Sequence, residues 1–156
     1  MTLQQIHESA EFLKAEGINH PETGIILGTG LGNLATCITK EMEMDYSAIP
    51  HFPVSTVEFH KGKLIYGTLS GKKILAMQGR FHAYEGYTMQ QITFPVRVMK
   101  VLGIKQLLIS NAAGSLNPQF KKGSLMLLDD HINLQVLNPL TGSNLDELGP
   151  RYPDMS

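Results

Sequence analysis

Cysteine is nearly missing from this chain: Cys37 stands alone in 156 residues. No internal disulfide is therefore available, and a reducing compartment, the cytoplasm, is the expected setting. Long apolar runs are missing as well. None exceeds four residues, Leu125 to Leu128 being one, whereas a membrane-spanning helix needs about 20. Neither sign of charge dominates, with 13 Lys+Arg against 14 Asp+Glu. The basic excess that nucleic acid or an anionic membrane selects is absent. The N-terminal stretch carries Glu8, Glu11 and Glu16 and no apolar core, unlike a secretory signal or a typical transit peptide. There are no repeats, low-complexity tracts or linkers. The length suits one domain over residues 1–156, since about 100–200 residues per domain is usual.

What is present alternates between helix and strand. Thr2 and Gln5 have capping-box spacing, Leu3, Ile6, Ala10 and Leu13 recur on one helical face, and Gly17 marks the end. Gly24–Gly28 reads as a buried strand entering the glycine-rich loop Gly28-Thr29-Gly30-Leu31-Gly32. Residues 45–62 are irregular. Lys63–Leu69 and Lys73–Gln78 form a hairpin about Ser70-Gly71. A second capping box, Thr88 with Gln91, opens a helix whose Pro95 should bend it or limit its first turn. Gln106–Ser110 and Ser124–Leu128 read as short strands. This order predicts an α/β fold, in which ligands bind at the carboxyl ends of strands. Three such ends carry Thr29, Arg80 to His82, and Asn111. From Leu137 onward the composition is loop-like, and two helices are few to cover a sheet on both faces. The expectation is a part of a larger fold.

Chemistry concentrates in a few places. The loop after Gly28 offers backbone N–H groups and the Thr29 hydroxyl to a small oxyanion, although a plain tight turn explains the glycines equally well. It lacks the third glycine of a dinucleotide fingerprint and the Gly-Lys-Ser/Thr of a Walker loop. Gln78 to Gly86 is the densest polar cluster. Extended backbone there would place Arg80, His82 and Tyr84 on one face, with Arg supplying a planar fork of donors for phosphate. Glu85 is expected to hold Arg80 or a backbone N–H. Ser110-Asn111-Ala112-Ala113-Gly114 ends an apolar strand with small residues that would let a ligand approach the backbone, and His60 lies in a loop able to close over an anion. Asp129-Asp130-His131 has no second His or Cys at ligand spacing, so no metal site is expected.

Together these segments resemble the N-terminal part of the trimeric class of purine nucleoside phosphorylases. The resemblance runs through Gly28–Gly32, Gln78-Gly-Arg-Phe-His-Ala-Tyr-Glu-Gly-Tyr87, Thr93-Phe-Pro-Val-Arg97 and Asn111–Gly114. It continues through Asp130-His-Ile-Asn133, Asn138-Pro-Leu140 and Arg151-Tyr-Pro-Asp-Met-Ser156. It implies a mixed, largely parallel central sheet flanked by helices. It also implies phosphorolysis of purine (deoxy)ribonucleosides such as inosine and guanosine, without metal or organic cofactor, in a homotrimer. By the same resemblance Thr29, Arg80, His82 and the N–H of Ala112 hold the phosphate, with Arg80 and His82 as the catalytic pair and His60 on a covering loop. Tyr84 binds the ribose, and Tyr152 reaches a neighbouring subunit's sugar. The purine-binding groups fall outside these residues, so the isolated chain is expected to be inactive. A catalytically incomplete phosphate- or nucleoside-binding module and a methylthioadenosine phosphorylase are the alternatives. A nicotinamide-dependent dehydrogenase stands further off because of the glycine spacing.

Overall fold

The computed structural model describes residues 1–54, 62–130 and 132–154. Thr2 and Gln5 exchange the hydrogen bonds of a capping box and start helix α1, Leu3–Ala15, which buries Ile6, Ser9, Ala10 and Leu13 on one face. At its end the Gly17 N–H donates to the Lys14 carbonyl and the Ile18 N–H to that of Leu13. This reversal needs a left-handed residue, supplied by Gly17 at φ +103°. Strand β1, Thr23–Leu27, follows, then a 3-10 turn over Gly32–Cys37 and strand β2, Thr39–Asp45. Next come β3, Lys63–Leu69, and β4, Lys72–Gln78. Ser70 and Gly71 join them with positive φ at both positions, the twist that suits a two-residue hairpin. Helix α2, Met89–Val101, begins at the second capping box and leads to β5, Gln106–Ile109.

The five strands form one mixed sheet in the order β2-β3-β4-β1-β5, antiparallel from β2 to β4 and parallel across β4, β1 and β5. Alternating side chains divide between its two faces. Ile26, Leu64, Tyr66, Leu75 and Met77 pack with α1 and α2 residues such as Leu13, Phe94 and Val98. Ile25, Leu27, Ile65, Ile74 and Ala76 meet Ala35 and Ile38 on the other face. At the β2 edge Glu43 lies between Lys40 and Lys63; their hydrogen bonds hold its carboxyl well below the usual range, at about 2.

Helix α2 carries Pro95 in its interior, as expected, and runs on to Val101. The ring is fully buried, and packing against the core offsets the backbone hydrogen bond that Pro removes. Ser124–Leu128 is not a strand: Leu125 and Leu127 are 94% and 97% exposed. A short apolar run becomes a strand when a neighbour pairs with it, and this one pairs with no described strand. Strand β2 went unread, although Met42 and Met44 point toward the core while Lys40, Glu41 and Glu43 do not.

Candidate functional site

Three parallel strands end side by side, and their ends carry the polar residues singled out in the sequence. Leu27 pairs with Gln78, and Ile26 with Ile109. Carried forward in register, Thr29 comes level with Arg80 on one side and with Ala112 on the other. Residues 32 to 83 positions apart in sequence are thus brought to one edge of the sheet by its parallel order.

The glycines of the loop have separate duties. A Cβ on Gly28 would lie 2.2 Å from the Ser110 carbonyl oxygen, so this glycine lets β1 and β5 approach. Gly30 adopts φ +85° to turn the chain, and a Cβ on Gly30 or Gly32 would meet nothing within 4 Å. Thr29 is exposed between them. The loop therefore leaves open space at its tip, where its N–H groups and the Thr29 hydroxyl stand.

The segment after β4 is held at each step. The buried Tyr46 hydroxyl donates to the Gly79 carbonyl at 2.7 Å; burial pushes its ionisation far above the ordinary tyrosine range. Phe81 enters the core, with its ring centroid 5.2 Å from Tyr46 and 5.7 Å from Tyr87. Burying Phe81 turns its neighbours Arg80 and His82 the other way, and both remain half-buried. Glu85, its carboxylate only 2% exposed, accepts from the His82 backbone N–H at 2.9 Å and meets His82 Nδ1 at 2.6 Å. Arg80 Nε donates to His82 Nε2 at 3.2 Å, and Arg80 Nη1 to the Ser110 carbonyl at 3.0 Å. With a proton on Nδ1 facing Glu85, Nε2 is the acceptor for Arg80.

The extended backbone expected past His82 does not persist. The chain turns at Ala83–Glu85, because Glu85 folds back onto the His82 N–H. Tyr84 still joins the group by stacking on His82, ring centroids 4.6 Å apart and planes 17° from parallel, with 77% of the residue exposed. Glu85 holds a backbone N–H, as expected, but that of His82 and the His82 ring. Ala112 is exposed at the end of β5, where the Asn111 side-chain amide donates to its carbonyl at 3.2 Å. Tyr152 is 79% exposed beside Arg151, whose guanidinium donates to the Leu140 and Gly142 carbonyls. A cavity of about 390 Å³ lies under that segment, lined by Gln90, Arg97 and Leu148 among others, away from the strand ends. His60 and His131 lie outside the described residues.

One participant was not singled out in the sequence. Ser110 had been noted only as a small residue, yet it touches both Gly28 and Arg80. Its contacts depend on the parallel neighbours of β5, which a local pattern does not reveal.

The arrangement can be set against known proteins. Residues 22–156 match the family model described as the phosphorylase superfamily. The chain belongs to that superfamily. Purine nucleoside phosphorylase 1 of Geobacillus stearothermophilus is 53% identical over 156 residues, all of this chain and 57% of its own length. The purine nucleoside phosphorylase of Rattus norvegicus is 46% identical over 99% of this chain and 55% of its own. Among solved structures, isoform 2 of the Schistosoma mansoni enzyme, crystallised with cytosine and ribose-1-phosphate, superposes with a TM-score of 0.90. It is 44% identical, across 99% of this chain and 55% of that one. The chain thus spans about half the length of these phosphorylase relatives.

Proposed function

We propose that this chain supplies the phosphate site and part of the ribose site of a purine nucleoside phosphorylase. The observation that carries the reading is the alignment of Thr29, Arg80 and Ala112 on three adjacent parallel strand ends, with His82 against Arg80. Donors of three kinds converge there, a hydroxyl, a guanidinium fork and a backbone N–H, with the His82 imidazole set against the guanidinium. That set suits a tetrahedral dianion better than a planar or apolar ligand. The names of the relatives support the purine nucleoside as the second substrate.

In this reading inorganic phosphate attacks C1′ of the nucleoside while the purine leaves. The developing oxocarbenium charge on the ribose is stabilised by the phosphate, which Arg80 and His82 hold beside it. Fixed donors and dipoles in such a site are commonly the largest contribution to rate, and placing the nucleophile adds to it. The Glu85–His82 contact fixes the imidazole so that Nε2 faces Arg80 and the anion. In this reading Tyr84, stacked on His82, meets the sugar. His60 on the covering loop and Tyr152 reaching a neighbouring subunit complete the assignment, which assumes a homotrimer in the cytoplasm. No metal or organic cofactor enters the reaction. Purine recognition is assigned to none of the residues named here, and these 156 residues by themselves are expected to cleave no nucleoside.

The second reading is a phosphate-binding module without catalysis, built on the same three strand ends. Incubating the native protein with inosine separates the two. The proposal expects hypoxanthine and ribose 1-phosphate in equal amounts, formed only when phosphate is present. Phosphate binding without cleavage would favour the module, and release of free ribose would refute phosphorolysis.

A further inference from the structure

Ser110 occupies the point where the three strand ends meet. Its N–H continues the β5 ladder by donating to the Ile26 carbonyl at 3.1 Å. Its hydroxyl donates to the same carbonyl at 3.2 Å and accepts from the Gly28 N–H at 2.9 Å. Its carbonyl takes the Arg80 Nη1 hydrogen bond at 3.0 Å. One residue thus ties the start of the glycine-rich loop to the guanidinium. The side chain stands where a backbone carbonyl would normally continue the β1–β5 ladder, so the hydroxyl extends the pairing just as β1 leaves the sheet. The close approach that Gly28 permits, 2.2 Å from its Cβ position to the Ser110 oxygen, locks the same junction sterically.

We propose that Ser110 is a positioning residue for phosphate, setting Arg80 and the Thr29 loop at one fixed spacing through its hydroxyl and carbonyl. The inference rests on the phosphate reading above. Without the hydroxyl, Gly28 loses its hydrogen-bond acceptor at a half-buried site, the β1 end drifts from β5, and Arg80 follows the released Ser110 carbonyl. A misplacement of about 1 Å costs up to ~10²-fold where geometry decides the outcome.

The test compares Ser110→Ala and Ser110→Thr in the native protein, using inorganic phosphate as the probe and hydrogen exchange at the Gly28 amide as a second readout. Ser110→Ala should weaken phosphate about tenfold or more and speed Gly28 exchange by about tenfold, from loss of one hydrogen bond and its geometry. Ser110→Thr keeps the hydroxyl and should restore both to within about threefold, while the nucleoside KM moves little in either variant. If the wild type binds phosphate and Ser110→Ala binds it equally well, the positioning role is overturned and the phosphate reading stands. Equal losses in both variants, or in phosphate and nucleoside KM alike, also overturn it, since they signal general damage. A wild type that binds no phosphate overturns both.

Discussion

Replacing Arg80 with Ala is expected to lower phosphate affinity and turnover together, with turnover falling about 10²–10³-fold, the usual cost of one preorganised donor. The side chain is placed by three independent supports. Phe81 is buried behind it, the Ser110 carbonyl holds Nη1, and His82 Nε2 holds Nε. Such a guanidinium loses little freedom when phosphate arrives, which concentrates its effect on binding the anion. Nucleoside KM should change far less, because in the proposed site the sugar meets Tyr84, stacked on His82, rather than the guanidinium. Arg80→Lys should recover only part of the loss, since an ammonium carries the charge without the planar fork. Initial rates against phosphate and inosine, varied separately, measure the split. Wild-type phosphate kinetics in Arg80→Ala would remove Arg80 from the site.

Gly28→Ala should destabilise the fold by about 3 kcal/mol, at the upper end for forcing a methyl into a packed interior. The new Cβ would stand 2.2 Å from the Ser110 oxygen, 2.8 Å from its carbonyl carbon and 3.0 Å from the Asn111 Cα. All three are backbone atoms, so no side chain can swing aside; β1 and β5 must separate at the strand ends. Phosphate binding should fall with stability, because Thr29, Ala112 and Arg80 all depend on that junction. Gly32→Ala is the matched control, since a Cβ there meets nothing within 4 Å; it should stay within about 0.5 kcal/mol of wild type. Thermal or denaturant unfolding of the two variants decides the matter. Equal stability for Gly28→Ala and Gly32→Ala would show that the close strand approach is not a constraint.

Much of this could be read locally because local physics decides it. Both capping boxes, the Gly17 stop, the β3–β4 hairpin and the buried β1 run need only short-range spacing and glycine conformation, and each stands where expected. Likewise, the chemistry of Arg80, His82 and Tyr84 was visible in their types and proximity. Other features were hidden because they depend on distant neighbours. The three-strand level of Thr29, Arg80 and Ala112 comes from parallel register. Ser110 looks like an ordinary strand-end serine until β1 and Arg80 lie beside it. The reverse error has the same origin: Leu125 to Leu128 has strand composition, but composition supplies no pairing partner. Glu85 falls between these cases, since its three-residue reach to His82 is local while its choice of the ring is set by the turn at Ala83–Glu85.

The most direct measurement is a crystal structure of the native protein grown with inorganic phosphate and no nucleoside. A tetrahedral anion is expected at the ends of β1, β4 and β5, about 2.7–3.2 Å from the Thr29 hydroxyl, the Arg80 guanidinium, the His82 imidazole and the Ala112 N–H. Phosphate found on other residues, or absent from these at saturating concentration, would contradict that placement.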